Sequence, residues 1–410
     1  MSSRVLAVLL PLHLLAGWLF LRECGPGFPL DDAWGHLVYA RAVAEGDGLA
    51  YNPGQPEAGV SAPLWTLLMA LPAGVVEWTG WLARPDALVR AIGGLLGLLA
   101  AAVGYRLALR IGSWPAVFAA VLLSVDPLLL ASRYSGMELP LFALLSLLLV
   151  EALLDQRPGR AGLLAGLALL TRPEGLALAA VTLIVAAGRR WPLRQVLAPL
   201  ALCALPFGAW NQWVAGQPWP LTWANKFEAL APSGPMLPVL DALMRDTGWG
   251  WALLPLAVIG AVSIAGIVPR LEQLLLYVAL VPLAGVLLTR SMPLAFDPPR
   301  VPFYWERYAL IAWPPLLLLV ATGAASVART AWAGLHCRPL AALALIAPAG
   351  AAALLARGLP GHAVDVSRRF SAECGDVEAL NVAAGDWIDA HLPPDAVVAT
   401  HDAGAIRYFG

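Results

Sequence analysis

The sequence predicts an all-helical protein that crosses a membrane many times. Hydrophobic residues occupy 60% of the 410 positions and charged residues only 13%, and the mean hydropathy is +0.72. Apolar runs recur along the whole chain, many of them close to the length that spans a bilayer. Because a soluble core needs far less apolar sequence, these observations indicate a polytopic membrane protein.

Charge and cysteine patterns exclude several other classes. The net charge is −1 and no run of basic residues forms a patch, so no nucleic-acid partner is expected. No P-loop, GxGxxG or Ser-His-Asp arrangement supports an ATPase, a dinucleotide site or a hydrolase. The four cysteines lack metal-binding spacing. Cys24 and Cys374 are both expected on the outer face, and the sequence leaves open whether they pair.

The first predicted span is Val5 to Leu21. No small-residue cleavage site precedes Arg22, so we expect this segment to be retained rather than removed as a signal peptide. Arg4 places the N-terminus in the cytoplasm, and residues 22–86 then form a long first outer loop. The other predicted spans are about 87–105, 114–131, 139–154, 161–171, 175–188, 195–214, 251–268, 272–289, 308–328 and 339–356.

The apolar stretch 63–78 decides the topology. If it crossed the membrane, the basic loops would lie outside, against the preference for basic residues in short cytoplasmic loops. We therefore expect a helix on the outer leaflet, which leaves eleven spans in a membrane domain of residues 1–356. The inner loops then contain Arg106, Arg110, Arg157, Arg160, Arg189, Arg190, Arg194, Arg270, Arg329 and Arg338.

Two adjacent carboxylates, Asp31 and Asp32, follow the first span at the predicted membrane surface. In a chain with so few charges, composition does not explain such a pair. One carboxylate is accounted for if it caps a helix that opens at Ala33. The second indicates a chemical role, and His36 in the same stretch is a candidate for substrate binding.

The predicted spans 161–171 and 175–188 are too short to cross the membrane fully. With their turn they hold 28 residues, whereas a helix rises about 1.5 Å per residue and the apolar core is roughly 30 Å thick. Arg172 and Glu174 in the turn are therefore expected below the outer surface, where ionisable groups usually line a wet cavity. The alternative is an ion pair that only pins the hairpin.

Further charged residues are predicted at the same outer face. Arg133 and Glu138 share a short loop, and Lys226 is the only lysine of the chain. Arg307 precedes Tyr308 in another outer segment. Each alone is typical of an interfacial anchor, but together they place acids and cations at the mouth of an apolar bundle. Arginine and lysine there are suited to bind a phosphate.

From residue 357 onward the composition predicts the start of a small α/β outer domain. Asp376 is expected to cap a helix that extends to His391, and 396–400 has the pattern of a short buried strand. Fewer than about 60 residues follow the last span, too few for an independent core. We therefore interpret 357–410 as the beginning of a domain that is mostly missing from this chain.

Several of these motifs resemble those of GT-C membrane glycosyltransferases. Between residues 31 and 65 the chain carries Asp-Asp-Ala-Trp, Tyr-Ala-Arg, Gly-Asp-Gly-Leu, Tyr-Asn-Pro-Gly and Pro-Leu-Trp in order. The segments 135–138, 170–175, 307–308 and 398–404 extend the resemblance along nearly the whole chain. The most similar branch contains mycobacterial terminal arabinofuranosyltransferases and bacterial relatives. In that superfamily the first outer loop includes helices on the membrane, which agrees with the interpretation of 63–78.

The resemblance implies inverting transfer of a sugar from a polyprenyl-phosphate donor to an acceptor hydroxyl of a cell-envelope glycan or glycolipid. The active site would face outward from the bacterial inner membrane. Asp31 or Asp32 matches the family's catalytic base, and Glu138 matches an acidic residue that would bind acceptor hydroxyls or a metal. Candidates to stabilise the departing phosphate are Arg133, Arg172, Lys226 and Arg307. His36, Glu174 and Tyr308 complete the candidate substrate-binding residues.

Three points stay open at this level. A divalent cation held by Asp32 and Glu138 is compatible with their oxygen ligands, as is acid–base catalysis without a metal. A lipid-linked-sugar transporter or flippase would also have many spans, although the internal repeats common in such folds are not found. A catalytically silent scaffold is the third class. Arabinofuranose follows only from the nearest relatives, since hexose and aminoarabinose donors serve other branches.

Overall fold

The computed structural model describes residues 3–80, 82–223, 253–268, 270–289, 307–334 and 361–410. Within these ranges the fold is mainly helical. After α1 (Ser3–Leu21), the predicted first outer loop contains α2 (Asp31–Glu45), a short antiparallel hairpin of β1 (Ala50–Asn52) and β2 (Gln55–Pro56), and α3 (Pro63–Thr79). These elements sit where the sequence predicts the outer loop.

Helices overlap every predicted span that falls within the described residues. The helices are α4 (Asp86–Leu109), α5 (Ser113–Val125), α6 (Pro127–Tyr134), α7 (Leu139–Leu154), α8 (Pro158–Leu169), α9 (Gly175–Gly188), α10 (Leu193–Ala215), α11 (Leu253–Ala265), α12 (Leu271–Thr289) and α13 (Trp313–Gly334). The predicted span 339–356 lies outside the described residues.

In the described part of the chain, fewer helices than the eleven predicted spans meet the length and apolar composition needed to cross a membrane. Among the described residues, α4 and α10 are each long and apolar enough to cross a membrane. Helices α5 and α6 would provide a third span as a pair, with a bend of 52° between them. The number of eleven spans therefore stays a prediction.

Glycines allow two helices of the bundle to approach closely. A Cβ atom on Gly260 in α11 would lie 1.9 Å from the carbonyl oxygen of Leu319 in α13. A Cβ on Gly323 would lie equally close, at 1.9 Å, to the carbonyl oxygen of Leu256. Contacts of this kind are typical of helices packed in membranes. Lipid provides no hydrophobic driving force between helices, and small residues let their backbones approach closely enough for van der Waals packing to hold them together.

The bundle has two chemically different ends. At the C-terminal ends of α4 and α7, Arg106 pairs with Glu151 (Nε–Oε1 2.8 Å) and Arg110 pairs with Asp155 (2.5 Å). Glu138 immediately precedes α7 and so belongs to the opposite end, roughly 24 Å away at 1.5 Å per residue. Arginines of the predicted inner loops and residues of the predicted outer loops therefore lie at opposite ends of this helix.

Helix α3 buries one face against α2 and exposes an apolar stripe on the other. Trp65 and Met69 are buried, whereas Leu67, Leu71 and Trp78 are 53–72% exposed. The exposed residues recur at helical spacing and so share one face. This is the pattern expected of a helix that lies in the plane of a membrane surface.

The C-terminal segment differs from its prediction. Residues 361–377 are helical (α14) and continue through a π-helical stretch, Glu378–Val382, into α15 (Ala383–His391). Asp376 therefore lies inside the helix and does not cap it. Residues 396–400 form no strand, because no neighbouring strand pairs with them in the described part of the chain; Val397 is 98% exposed.

The last helix, α16 (Gly404–Phe409), packs against the first outer loop. The ring of Trp34 in α2 contacts the rings of Tyr408 and Phe409, with centroid distances of 5.1 and 4.8 Å. The beginning and the end of the described chain are thus joined around α2. Whether 357–410 begins a larger domain stays a prediction.

Candidate active site

Residues of the predicted outer loops that are distant in sequence line one cavity of about 350 Å³. The cavity lies between the first turns of α2, the segment before α3, the loops before α7 and α9, and the loop before α16. The sequence-predicted residues that line it are Asp31, Asp32, His36, Glu138, Arg172, Glu174, Arg307 and Tyr308.

Asp31 binds the C-terminal segment. Its Oδ2 accepts a hydrogen bond from the backbone N–H of Gly404 (2.6 Å), and its Oδ1 accepts from the N–H of Ala405 (2.8 Å) and the Nδ2 of Asn381 (3.1 Å). A carboxylate at a helix N-terminus satisfies N–H groups that have no partner within the helix. Asp31 therefore caps α16, which lies 373 residues further along the chain.

An aspartate of the pair does cap a helix, as predicted, but the helix is α16 and not α2. Helix α2 begins at Asp31 itself, and the residue before it, Leu30, makes no side-chain cap. Both carboxylates lie in the first turn of α2, where negative charge is favoured by the helix dipole.

Asp32 faces the cavity beside a buried cation. Its side chain is 49% exposed, and its Oδ2 lies 2.6 Å from Nη1 of Arg307. The side chain of Arg307 is only 3% exposed. Its Nη2 donates to the hydroxyl of Tyr308 (3.2 Å), and its guanidinium lies 5.1 Å from the centre of the Tyr308 ring. A solvent-accessible carboxylate thus stands next to a cation whose orientation is fixed.

Arg172 is buried between two carboxylates. Its Nε and Nη2 form a bidentate pair with Glu174 (3.0 and 2.8 Å), and its Nη1 donates to Oε1 of Glu138. The other oxygen of Glu138 lies 3.5 Å from Nε2 of His36. The Arg172–Glu174 pair therefore does more than pin the α8–α9 hairpin, because it also binds the loop that precedes α7.

Burial and charge act in opposite directions on this cluster. Burial raises the pKa of Glu138 and of Glu174, but the guanidinium of Arg172 outweighs burial and holds both values below the ordinary range. Burial lowers the pKa of Arg172, whereas the two carboxylates raise it above its usual value. All three side chains are therefore ionised at neutral pH, and together they carry one net negative charge.

Gly136 sets the position of Glu138. Its φ of +76° is a left-handed conformation that favours glycine. A Cβ atom on Gly136 would also lie 2.7 Å from the Phe28 ring and 2.8 Å from Cβ of Ala33. Nε1 of Trp65 donates to the Gly136 carbonyl at 3.0 Å. The loop before α7 is thereby held against α2 and α3, next to the Asp pair.

One predicted phosphate ligand, Arg133, does not line the cavity. Arg133 donates to the carbonyl oxygens of Ser124 (2.8 Å) and Leu123 at the end of α5. These carbonyls lack partners within their own helix, so Arg133 completes the helix end and we no longer assign it to substrate binding. Lys226 lies outside the described residues.

The described residues contain no cluster of three His, Cys, Asp or Glu side chains that could hold a metal ion. Asp32 and Glu138, which the sequence offers as cation ligands, each contact an arginine instead. Because each carboxylate is already paired with an arginine, this arrangement does not fit a single cation that bridges Asp32 and Glu138.

Sequence reasoning missed two tyrosines of the cavity. Tyr39 and Tyr51 line it with ring centroids 5.1 Å apart, and the Tyr39 hydroxyl donates to Glu57. Burial, reinforced by Glu57, raises the pKa of Tyr39, so this hydroxyl stays protonated. Helical spacing could have found Tyr39, because residues 32, 36 and 39 share one face of α2.

Solved structures of other proteins share the overall fold of this helical bundle. The structure of ArnT from Cupriavidus metallidurans bound to undecaprenyl phosphate is similar over 100% of this chain and 85% of that chain, with 16% identity and a TM-score of 0.66. The archaeal oligosaccharyltransferase AglB from Archaeoglobus fulgidus, in complex with an inhibitory peptide and a dolichol-phosphate, gives a TM-score of 0.61 and 14% identity. That match covers 98% of this chain and 61% of the oligosaccharyltransferase.

These similarities confirm the predicted GT-C fold, while the arabinofuranosyltransferase branch stays a prediction. A family model described as a domain of unknown function (DUF8728) matches residues 372–410. This segment contains α15 and α16 and provides the hydrogen-bond donors to Asp31. No curated protein sequence is significantly similar to the chain.

Proposed function

We propose that this protein is an inverting glycosyltransferase that transfers a sugar from a polyprenyl-phosphate donor to an acceptor hydroxyl of a cell-envelope glycan or glycolipid. The observation that carries the proposal is the cavity, in which the accessible carboxylate of Asp32 pairs with the buried Arg307 and a second buried arginine, Arg172, is part of the lining. Its setting adds support, because the fold is shared with solved structures that hold undecaprenyl phosphate and dolichol-phosphate.

Asp32 is the better candidate for the base. The oxygens of Asp31 accept three hydrogen bonds from the C-terminal segment, whereas Asp32 is half exposed to the cavity. In the proposed step the acceptor oxygen attacks the anomeric carbon from the face opposite the phosphate, and its proton passes to Asp32. The bond from the anomeric carbon to the phosphate oxygen breaks, and polyprenyl phosphate departs with the electron pair.

Arg307 and Arg172 are proposed to stabilise the departing phosphate. A preorganised cation is most effective where charge develops in the transition state, and both guanidinium groups are buried and fixed by neighbours. Donor phosphate would compete with Asp32 for Arg307. Phosphate binding would then weaken the Asp32–Arg307 pair and make the base more available to the acceptor.

The acceptor is proposed to bind on the acidic side of the cavity. Glu138 and Glu174 are both ionised and both pair with Arg172. Their carboxylate oxygens can also accept hydrogen bonds from hydroxyl groups of the acceptor. His36 contacts Glu138 and extends this side toward α2. The two sides of the cavity thus suit the two substrates, a phosphate-bearing donor and a polyhydroxylated acceptor.

The proposal also covers the sugar of the donor and the side of the membrane on which the reaction takes place. The resemblance to terminal arabinofuranosyltransferases makes polyprenyl-phosphate arabinofuranose the first donor to test, with hexose and aminoarabinose donors beside it. The topology predicted from the arginines places the cavity on the outer face of the bacterial inner membrane.

The test is donor turnover by the purified protein in lipid nanodiscs. Wild type and Asp32→Asn would be incubated with each polyprenyl-phosphate sugar and a glycolipid acceptor, and released polyprenyl phosphate would be measured. Asp47→Asn is a matched control, because Asp47 is an exposed aspartate of the same loop that does not line the cavity. We expect turnover by wild type and the control and a loss of about 10²-fold or more in Asp32→Asn.

Two outcomes would contradict the proposal. Wild-type activity in Asp32→Asn would exclude Asp32 as the base. Absence of turnover with every donor would favour a transporter or a scaffold, and movement of the intact donor across proteoliposome membranes would then distinguish these two.

A further inference from the structure

Cys24 and Cys374 meet at a place that the proposed reaction does not use. Cys24 follows α1, and Cys374 lies in α14. Nη2 of Arg90 lies 3.4 Å from the Cys24 sulfur and 3.9 Å from the Cys374 sulfur. The two thiols are also close enough to influence each other's ionisation. Two cysteines that are 350 positions apart in sequence therefore share one site.

Arg90 is fixed in this site by the loop after α1. The same Nη2 donates to the carbonyl oxygens of Gly25 (3.0 Å) and Gly27 (2.6 Å). The neighbouring Cys374 thiol and the charge of Arg90 lower the pKa of the Cys24 thiol to about 6 against the effect of burial. The neighbouring Cys24 and burial raise the pKa of Cys374. Cys24 is therefore largely thiolate at neutral pH.

We propose that Cys24 and Cys374 are a disulfide-forming site that ties the C-terminal helical segment to the first outer loop. The predicted topology exposes this site to the compartment outside the inner membrane, which is oxidising. Cys24 is partly accessible and Cys374 is buried, so Cys24 is the thiol that meets an oxidant and Cys374 is the thiol that resolves it.

The oxidant is a disulfide compound, and the reaction is thiol–disulfide exchange. The Cys24 thiolate attacks one sulfur of the oxidant, whose other sulfur leaves as a thiolate, and a mixed disulfide forms. Cys374 then loses its proton and attacks the Cys24 sulfur, which releases the second sulfur of the oxidant. Two protein thiols are oxidised to one disulfide, and the oxidant is reduced to two thiols.

The cross-link would hold the wall of the cavity. Cys374 and Asn381 lie on the same continuous helical segment, and Asn381 donates to Asp31. Glu378, between them, pairs with Arg84 (Oε2–Nη1 2.8 Å) from the region before α4. A bond at Cys24 therefore keeps this segment, and α16 beyond it, against α2.

The test is peptide mapping of the full chain in nanodiscs after exposure to glutathione disulfide. Trypsin releases residues 23–41 and 370–407 as the peptides that contain Cys24 and Cys374. We expect these peptides to be linked without reductant and to separate after reduction, with two fewer thiols available to a maleimide. Cys203→Ser is the matched control and should retain the link, whereas Cys24→Ser and Cys374→Ser should lose it.

A second measurement follows the thiolate itself. Alkylation of reduced Cys24 by iodoacetamide at pH 7 should slow several-fold in Arg90→Gln, because removing the guanidinium charge raises the thiol pKa part of the way toward its usual value of about 8.5. The proposal is overturned if folded wild type gives no 23–41/370–407 link under oxidation, or if Cys24 instead pairs with Cys203 or Cys337. The link is read in the wild-type protein, so a variant that fails to fold does not affect the result.

Discussion

At the scale of single residues, neighbouring aspartates of α2 have different surroundings and therefore different expected roles. Asp31 is engaged by backbone N–H groups and an amide of the C-terminal segment, and Asp32 is open to the cavity beside Arg307. The first arrangement is suited to hold structure, and the second to exchange a proton. Substitutions at the two positions should thus alter different kinetic quantities.

Asp31→Asn should weaken substrate binding more than the chemical step. Its amide group replaces one acceptor oxygen and leaves a buried N–H of α16 without a partner, at a cost of about 1–3 kcal/mol. We expect a raised KM with a smaller change in kcat, in contrast to the loss of kcat in Asp32→Asn. Steady-state kinetics of both variants with the active donor would check this. Equal loss of kcat in the two variants would contradict the separation of roles.

The Glu138–Arg172 pair predicts how folding stability depends on pH. Arg172 holds the pKa of Glu138 below its ordinary value of about 4.3 despite burial, so the unfolded chain binds the proton first on acidification. The stabilisation is complete above that ordinary value and is lost as the pH falls toward the lower pKa of the folded state.

Thermal unfolding in nanodiscs at pH 7 and pH 3.5 would measure this dependence. Wild type should lose more stability between the two pH values than Glu138→Gln, which should already be less stable at pH 7 by about 3 kcal/mol because a buried charge loses a partner. Glu45→Gln, at an exposed position of α2, should behave as wild type. An unchanged pH dependence in Glu138→Gln would show that another group is responsible.

At the scale of secondary-structure elements, α16 completes the cavity by close contact with α2. A Cβ atom on Gly404 would lie 2.2 Å from the backbone oxygen of Asp31 and 2.8 Å from the backbone nitrogen of Gly35. Since backbone atoms cannot move aside as a flexible side chain can, only glycine fits. The approach that allows Asp31 to cap α16 thus depends on one position.

Gly404→Ala should therefore detach α16 and leave the bundle folded. We expect a loss of about 10²-fold in donor turnover, the scale of effect of a small misplacement at an active site, together with faster proteolysis after Arg407. Gly375→Ala is the control, because nothing lies within 4 Å of its added Cβ in α14. Normal turnover and proteolysis in Gly404→Ala would mean that α16 is not held as described.

The secondary-structure elements also show which parts of the fold and of the candidate site could be predicted from the sequence. The prediction 175–188 coincides with α9, and the charged turn before it lies in the cavity, because charges and turn residues stand out in an apolar chain. The contact of α16 with Asp31 was not predictable, since a pairing across 373 positions leaves no local periodicity. The strand predicted at 396–400 was wrong because propensity does not reveal whether a partner strand exists.

At the scale of the whole molecule, the predicted inner basic loops and the cavity lie at opposite ends of the bundle. Cysteine labelling tests this arrangement in a variant whose four native cysteines are replaced by serine. Gln55→Cys, in the hairpin of the first outer loop, should react with a membrane-impermeant maleimide in intact spheroplasts. Gly159→Cys, at the start of α8, should react only after the membrane is opened. The reverse pattern would invert the predicted topology.

The capping of α16 by Asp31 also bears on biosynthesis. A ribosome makes Gly404 373 residues after Asp31, so the cavity cannot be completed before the helices between these two residues have been made. We expect nascent chains that end before residue 401 to be integrated into the membrane yet unable to turn over donor. Arrested chains of increasing length, assayed in vesicles, should therefore gain activity abruptly once α16 has emerged. Synthesis itself would then delay catalysis until every helix between Asp31 and α16 has been made.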